Sequence, residues 1–336
     1  MNGSITKRAA ILGVGGHLPE KVVTNDDLAK LMETSHEWIV ERTGIHRRRW
    51  VDGETGASDL AVPAAQEAIS RAGLTVQEIE CIIFATLSPD HNFPGSGCFL
   101  QRKLGLVGIP ALDVRNQCSG FLYGLSVADA WIRSGQYRHI LLVGAEVHST
   151  GLDKTTRGRD IACLFGDGAG AVVLGPAQDE RGVLSVRLHA DGRFAEALWL
   201  EAPASKYYPC RLDHKMLDEG RHYPRMEGRK VFTEAVRHLP QVVKETLDAC
   251  GLTVDDIDLF VPHQANERIT EAAAARLGLP REKVFSNIAE YGNTTAASIP
   301  LALRDAEAQG RLKKGDLVAL ASFGAGFTWA AAVVRW

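Results

Sequence analysis

Short runs of apolar residues recur along the chain and alternate with stretches in which apolar residues return at helical spacing. The runs have the length of buried β-strands and include residues 81–85, 140–143, 259–261 and 317–320. The amphipathic stretch 119–132 follows the apolar run 109–114 and predicts a helix entered almost directly from a strand. This alternation predicts an α/β fold with mixed, mostly parallel sheets and helices in layers on their faces.

The first apolar run near the amino terminus is broken by Gly13, Gly15 and Gly16. It predicts a first strand followed by a turn. The glycines do not indicate a dinucleotide-binding loop, because the full GxGxxG spacing and the later acidic partner are missing.

The chain repeats a pattern of landmarks in the same order. Residues 68–80 resemble residues 246–258, and each copy predicts a helix ended by glycine, an acidic linker and a strand. The other matched pairs are Leu104-Gly105-Leu106 with Leu277-Gly278-Leu279, Ser134-Gly135 with Gln309-Gly310, and Phe165-Gly166-Asp167-Gly168 with Phe323-Gly324-Ala325-Gly326.

The repeat predicts two pseudo-symmetric halves, residues 1–177 and 178–336. Chance similarity between two α/β halves is the alternative. Under duplication, the counterpart of Cys118 falls near Asn293-Thr294, and we expect the two segments to meet at a shared buried site.

Composition excludes several classes of function. The chain has 336 residues and a formal net charge of -3, so it has no overall attraction for nucleic acid or an anionic membrane. No apolar stretch is long enough to span a bilayer, and residues 1–8 do not resemble a signal peptide. The six cysteines lack metal-ligand spacing. We therefore expect a cytoplasmic protein with reduced cysteines and no metal.

Cys118 is the candidate nucleophile. It lies between the apolar run 109–114 and the predicted helix 119–132, where free backbone N–H groups and the helix dipole favour a thiolate. Nearby backbone donors could face an oxyanion formed at the sulfur. The alternative is a buried cysteine that acts as a small hydrophobic residue, which is the interpretation for Cys81 and Cys163.

The second half supplies two polar partners for such a cysteine. His263 follows the predicted strand 259–261, and Asn293 precedes another predicted helix. A neutral imidazole and a carboxamide can both donate to one thioester oxygen and stabilise an enolate without a metal. Taken singly, each residue is more often structural, the histidine as a satisfied buried group and Gly292-Asn293 as a turn.

Together these segments resemble the beta-ketoacyl-acyl-carrier-protein synthase III family, the priming condensing enzymes of the thiolase superfamily. The resemblance covers nearly the whole chain. Its motifs are residues 34–45, Cys118-Ser119-Gly120-Phe121, residues 165–170, Val261-Pro262-His263-Gln264-Ala265-Asn266 and Gly292-Asn293-Thr294.

The resemblance implies a thiolase-like duplicated fold and a decarboxylative Claisen condensation that initiates fatty acid synthesis. Cys118 would take an acyl group from acyl-CoA, and the acyl group would be joined to malonyl-acyl-carrier-protein, giving a beta-ketoacyl product and CO2. His263 and Asn293 would hold the thioester oxygen of the malonyl group. No cofactor is implied beyond the coenzyme A thioester substrate.

The resemblance also assigns binding residues position by position. The backbone N–H groups of Cys118 and Ala325 would form the oxyanion hole, although many relatives have glycine in place of Ala325. The residues implied in substrate contacts are Trp38 and Arg157 on the two faces of the adenine, Arg42 at the CoA phosphates, Gly228 and Asn266 along the pantetheine arm, Arg268 at the carrier protein, and Phe93 in the acyl pocket of the partner in a homodimer.

Three related enzymes do not fit the sequence. A degradative thiolase would need a second cysteine near Ser322-Phe323-Gly324, an elongating enzyme would have a second histidine in place of Asn293, and a plant-type polyketide synthase has a different glycine loop. Residues 198–227 look longer than in the family, which puts a short-chain acyl preference in doubt. The main alternatives are a specialised ketosynthase of secondary metabolism and an acyltransferase to oxygen or nitrogen, whereas retention of all three polar residues argues against a non-catalytic binding protein.

Overall fold

The computed structural model describes residues 8–336, in which strands and helices alternate. The absence of a signal peptide, predicted from residues 1–8, concerns a segment almost wholly outside this range. The strands are β1 (Ala9–His17), β2 (Val22–Thr24), β3 (Arg47–Arg49), β4 (Cys81–Ala85), β5 (Ala111–Val114), β6 (Ile140–Glu146), β7 (Gly168–Pro176), β8 (Gly182–Ala190), β9 (Leu198–Trp199), β10 (Arg225–Met226), β11 (Leu259–Pro262), β12 (Leu317–Gly324) and β13 (Thr328–Arg335).

Eleven α-helices connect these strands within residues 8–336. They are α1 (Asn25–Ala29), α2 (His36–Thr43), α3 (Ala57–Arg71), α4 (Ser96–Lys103), α5 (Gly120–Ser134), α6 (Arg159–Ala162), α7 (His214–Asp218), α8 (Gly228–Asp248), α9 (Glu267–Leu277), α10 (Ile288–Tyr291) and α11 (Ser298–Ala308). Among the described residues, no helix combines the length and the hydropathy needed to cross a bilayer.

Two large sheets have the same strand order. The first runs β1-β7-β6-β4-β5 and the second β8-β13-β12-β11. In the second sheet, Val284 forms a parallel bridge to Phe260 of β11, in the position that β5 occupies beside β4. This shared order supports our proposal that residues 1–177 and 178–336 are two halves of one duplicated unit.

The sheets are mixed, as expected, but the expectation of mostly parallel pairing is wrong. The pairs β6–β4, β4–β5 and β12–β11 are parallel. The outer pairs β1–β7, β7–β6, β8–β13 and β13–β12 are antiparallel. The antiparallel pairs arise because β7 and β13 each turn back and pair with the strand that precedes them in the chain. A parallel neighbour would require a crossover connection to the other end of the sheet.

The helices form layers around the sheets. Apolar residues of α5 and α11 share one buried cluster with residues of both sheets, so these two helices lie between the sheets. Helix α3 packs on the outer face of the first sheet, and α8 and α9 pack on the outer face of the second. The amino termini of the central helices α5 and α11 therefore lie inside the molecule.

The predicted turn at the first glycines is absent, because Gly13, Gly15 and Gly16 lie within β1. Gly13 and Gly15 permit close packing on α3, because a Cβ atom added to them would lie 2.3 or 2.2 Å from a carbonyl oxygen of that helix. Gly16 faces α11 instead, where an added Cβ would lie 2.7 Å from Leu301 Cδ2. Close contact, rather than a turn, explains the glycines.

Under the proposed duplication, the segments that precede α5 and α11 form the pseudo-symmetric pair. Each contains a 3₁₀ turn, Gln117–Ser119 and Thr295–Ala297, whose first residue has a positive φ of 45° and 49° respectively. When the two turns are aligned, Cys118 corresponds to Ala296, the middle residue of the second turn. The counterpart therefore lies two to three residues beyond the predicted Asn293-Thr294. Because a Cβ atom on Gly120 would lie 3.9 Å from that of Ala296, the two segments are neighbours.

Candidate active site

Cys118 lies in the short link between β5 and α5, on the 3₁₀ turn that precedes the helix. The turn is attached to the second sheet, because Ser322 Oγ donates a 2.6 Å hydrogen bond to the carbonyl of Cys118. Gly324, at the end of β12, faces the nucleophile so closely that a Cβ there would lie 2.7 Å from Cys118 Sγ. The second half of the chain thus forms one wall around the sulfur.

The expected thiolate is opposed by burial. Cys118 is 7% exposed, and burial, aided by the charge of Glu146, raises the pKa of its thiol to about 12. The backbone N–H groups of Ala325 and of Cys118 itself act in the opposite direction and lower that pKa, but by less. Burial therefore favours the thiol over the thiolate in the resting residue, and the two predicted oxyanion donors oppose this effect.

His263 directly follows β11, and its ring is bonded on one side. Its Nδ1 lies 2.6 Å from Ser298 Oγ, and the same oxygen accepts a 3.4 Å bond from Gln264 N. The hydroxyl can donate to Nδ1, and with that bond the neutral ring carries its proton on Nε2. This Nε2 is buried without a partner, and burial lowers the pKa of the imidazole to about 3.

Asn293 is held by its backbone and by one end of its side chain. Its N–H donates to Leu164 O at 2.8 Å, and its carbonyl accepts from Gly166 N at 3.0 Å. Its side-chain Oδ1 accepts from Thr295 N at 2.9 Å. The NH2 end of the carboxamide has no protein partner among the described residues and is free to donate to a ligand.

One cavity of about 490 Å³ brings these three residues together. Five residues predicted to contact substrate or carrier protein also line this cavity: Trp38, Arg42, Gly228, Asn266 and Arg268. Gly324, which faces the sulfur, lines it as well. The three catalytic candidates and five of the substrate-contact candidates therefore share one continuous space.

The assignment of Arg157 beside Trp38 is wrong. The Arg157 side chain bonds Asp153 at 2.6 Å and lies over the ring of Tyr223. Arg159 and Arg42 lie over the Trp38 indole instead, at 4.9 and 4.5 Å from its centroid. Arg157 lies within the 3₁₀ turn Thr156–Gly158, and Arg159 follows it as the first residue of α6.

The remaining predicted contacts differ in how free their side chains are. Asn266 caps α9 and donates to Arg42 O at 2.9 Å, so it joins two walls of the cavity. Arg268 is exposed, with its guanidinium over the ring of Phe232. Phe93 is 81% exposed and lines neither of the two cavities that contain Cys118.

A second cavity of about 590 Å³ also reaches Cys118. Its walls include Leu87, Val147, His148, Leu152 and Phe165 from the first half, together with Ala325. The cavity is also lined by the segment 198–227, which looked longer than in the family, through residues 198–200, His222 and Pro224. This segment forms β9, α7 and β10 and therefore shapes a space next to the nucleophile.

Sequence analysis missed several supporting residues. Asp167, within the Gly166-Asp167-Gly168 motif, accepts bonds from the backbone of His148, Ser149 and Val51. Glu146 is buried and accepts from Ser88 Oγ at 2.6 Å, and burial raises the pKa of its carboxyl to about 7. The acidic residue inside an apolar glycine-rich strand pattern was a usable signal for Asp167. Glu146 gave no such signal, because its hydrogen-bond partner Ser88 lies 58 positions away in the chain.

The comparisons with known proteins agree along the full chain. Models of 3-oxoacyl-[acyl-carrier-protein] synthase III match residues 112–192, and those of its C-terminal part match residues 247–336. Beta-ketoacyl-[acyl-carrier-protein] synthase III of Rhizorhabdus wittichii is 48% identical over 333 residues, which cover 98% of this chain and 100% of the relative. That of Caldanaerobacter subterraneus is 44% identical over 328 residues, 98% of each chain. The chain belongs to the beta-ketoacyl-acyl-carrier-protein synthase III family.

The fold leads to the same family. The crystal structure of 3-oxoacyl-[acyl-carrier-protein] synthase III from Aquifex aeolicus matches with a TM-score of 0.89 at 41% identity, covering 98% of this chain and 100% of that one. The beta-ketoacyl-acyl-carrier-protein synthase III interpretation and the thiolase-like fold are thus confirmed. The enzyme is an acyltransferase, a condensing enzyme that initiates fatty acid synthesis.

Among residues 8–336, no cluster of three or more histidine, cysteine or acidic side chains could hold a metal ion. The donors at the site are an imidazole, a carboxamide and backbone N–H groups. These groups suit oxyanion and enolate stabilisation.

Proposed function

We propose that Cys118 carries the acyl group and that His263 and Asn293 activate the malonyl group that extends it. The observation that carries this proposal is the shared cavity, in which a buried sulfur lies with two unpartnered donors, His263 Nε2 and the Asn293 NH2. In the first step, the Cys118 sulfur attacks the carbonyl of acyl-CoA, and the proton of its thiol passes to the departing sulfur of coenzyme A. The tetrahedral oxyanion receives the N–H groups of Cys118 and Ala325, and coenzyme A leaves as a thiol.

In the second step, the malonyl group on the carrier protein loses CO2. The electron pair of the broken carbon–carbon bond moves into the thioester as an enolate, whose oxygen accepts from His263 Nε2 and Asn293 NH2. The α-carbon attacks the acyl-cysteine and a carbon–carbon bond forms. The Cys118 sulfur leaves as a thiolate and takes a proton from solvent, which restores the resting thiol. Because both donors are neutral, they stabilise the enolate without protonating it.

The rim of the 490 Å³ cavity suits acidic and phosphorylated substrates. Arg42, Arg229 and Arg268 line it and are exposed. We propose that Trp38 and Arg159 bracket the adenine of coenzyme A, since a guanidinium and an indole already face one another there. Arg42 would meet the CoA phosphates, Gly228 and Asn266 would line the pantetheine path, and Arg268 would contact the acidic carrier protein.

The surface near β5 supports a homodimer. This strand is the edge of the first sheet, and Leu112 within it is 36% exposed. Phe93 and Val107, on neighbouring segments, are more exposed still. An open strand edge beside large apolar side chains is a pairing surface for a second copy of the chain. We propose that Phe93 enters the acyl cavity of that copy.

We also propose that the enzyme works in the cytoplasm. All six cysteines are free thiols, including the exposed Cys98 and Cys210. This state fits a reducing compartment.

Intact-protein mass spectrometry with a panel of acyl-CoAs tests the assignment of the nucleophile. Wild-type protein and the exposed-cysteine control Cys98→Ala should each gain one acyl group, and Cys118→Ala should gain none. Acylation of Cys118→Ala at the wild-type rate would refute the proposed role. Acyl transfer onto Cys118 with no extension by malonyl carrier protein would refute the proposed second step.

A further inference from the structure

His148 is a second buried imidazole near the nucleophile, and the mechanism above does not use it. It follows β6, lines the 590 Å³ cavity with Cys118 and is 7% exposed. Its backbone N–H donates to Asp167 Oδ1 at 2.7 Å, and its ring packs on Phe165 with centroids 4.5 Å apart. The imidazole is therefore fixed in place by the first half of the chain.

The other side of this ring contacts the segment that carries Asn293. His148 Nε2 lies 2.7 Å from Thr295 Oγ1. Thr295 is 1% exposed and has a φ of 49°, a left-handed conformation that a β-branched residue adopts only when its surroundings impose it. The bond to His148 is one such constraint, because it fixes the threonine side chain.

Thr295 in turn orients the carboxamide of Asn293. Its backbone N–H donates to Asn293 Oδ1 at 2.9 Å, which leaves the NH2 end free. If Thr295 relaxed to a negative φ, this N–H would turn away and the carboxamide could rotate. Its oxygen would then face the enolate oxygen, and two acceptors would repel each other.

We propose that His148 is a positioning residue that, through Thr295, holds the Asn293 carboxamide with its NH2 group towards the substrate. The inference rests on the proposed role of Asn293 in malonyl decarboxylation. It predicts that His148 matters for that step and not for acyl transfer to Cys118, although both residues line the 590 Å³ cavity.

Four single variants test the proposal. His148→Leu and Thr295→Val remove the hydrogen bond at similar volume, whereas the matched controls His148→Gln and Thr295→Ser retain a hydrogen-bonding group. Release of CO2 from malonyl carrier protein should fall by about 10- to 100-fold in the first pair, the range expected when a reacting group is misplaced. Acyl loading, followed by intact mass, should stay near the wild-type rate, and the controls should restore most of the decarboxylation.

A double-mutant cycle separates positioning through Asn293 from a general structural effect. Combining His148→Leu with Asn293→Ala should decarboxylate no more slowly than Asn293→Ala alone. Multiplicative losses in the double variant, or a wild-type rate in His148→Leu, would overturn the inference. If His148→Leu does not fold, the Thr295→Val and Thr295→Ser pair decides in the same way. A wild-type rate in Asn293→Ala would instead refute the proposed function on which the inference rests.

Discussion

A single hydrogen bond on the far side of each proposed donor orients that donor towards the cavity. Ser298 Oγ faces His263 Nδ1 at 2.6 Å, and Thr295 N–H faces Asn293 Oδ1 at 2.9 Å. Each bond occupies one end of a bifunctional group and leaves the N–H end for substrate. Two ordinary polar residues thereby become two oriented donors.

Buried neutral imidazoles also make stability depend on pH. Burial lowers the pKa of His148 from 6.5 to about 3, so the unfolded chain binds the proton more readily between these values. Stability from this residue is therefore present above pH 6.5 and is lost as the pH falls towards 3. Urea unfolding at pH 7 and pH 5 should show that His148→Leu loses about 2 kcal/mol less stability over this interval than wild type.

The control for this measurement is His214→Leu, which removes an exposed histidine and leaves both buried imidazoles in place. It should show the wild-type difference between the two pH values. Equal losses in His148→Leu and wild type would show that His148 is not held neutral in the folded protein.

Sequence motifs point to Cys118, His263 and Asn293 as catalytic candidates because each lies at a recognisable strand end or helix start. They did not identify Ser298, Thr295 or His148 as supporting residues, since their contacts join segments 35 or 147 positions apart in the chain. The exchange of Arg157 for Arg159 has a local cause. Both are arginines at one 3₁₀ turn, and only the turn geometry shows which one reaches Trp38.

At the scale of elements, the end of β12 must lie directly against the nucleophile. Gly324→Ala would place a methyl group 2.7 Å from Cys118 Sγ and 2.5 Å from its Cβ. We expect acyl loading to fall by about 100-fold, because the sulfur must shift from its donors. The rate of acylation by intact mass, together with the melting temperature, measures this.

Gly192→Ala is the matched control, since a Cβ there has no atom within 4 Å. It should load at the wild-type rate. Normal loading by Gly324→Ala would show that β12 does not confine the sulfur as the structure indicates.

The segment 198–227 contributes a wall of the 590 Å³ cavity, and Trp199 is its largest side chain there. Trp199→Ala should enlarge the cavity and raise the loading rate of longer or branched acyl-CoAs relative to acetyl-CoA. Competition between acyl-CoAs, analysed by mass spectrometry, gives this ratio directly. An unchanged ratio would place the acyl chain elsewhere.

Local sequence patterns predicted helices and strands correctly where the spacing of apolar residues and the turn residues indicated the same boundaries. The repeated helix, acidic linker and strand appears as α3 with β4 and as α8 with β11, and Gly73 and Gly251 have positive φ after the two helices. The pattern could not show that Gly13 and Gly15 of β1 serve contact with α3, or that β7 and β13 pair antiparallel. Both features depend on neighbours that are distant in sequence.

On the scale of the whole molecule, the open edge of β5 predicts association of two copies. Leu112→Lys should place a charge in the proposed interface and shift the protein to monomers, as measured by sedimentation velocity. Leu31→Lys, at another exposed leucine, is the control and should leave the oligomeric state unchanged. The proposed interface would be contradicted if the wild-type protein sedimented as a monomer, or if Leu112→Lys left the dimer intact.

The site exists only because both halves of the molecule contribute to it. Cys118 comes from the first, His263 and Asn293 come from the second, and the paired 3₁₀ turns bring them to one cavity. This division predicts that the two chemical steps can be separated by mutation. Loss of a second-half donor should stop extension while the acyl-enzyme still forms.

The most direct test follows the acyl group on Asn293→Ala by intact mass, first with acyl-CoA and then with malonyl carrier protein. We expect acyl-Cys118 to form near the wild-type rate and then to persist, whereas wild-type enzyme discharges it as a beta-ketoacyl product. Discharge of the variant at the wild-type rate, or failure of the folded variant to load at all, would contradict the division of labour between the sulfur and the two donors.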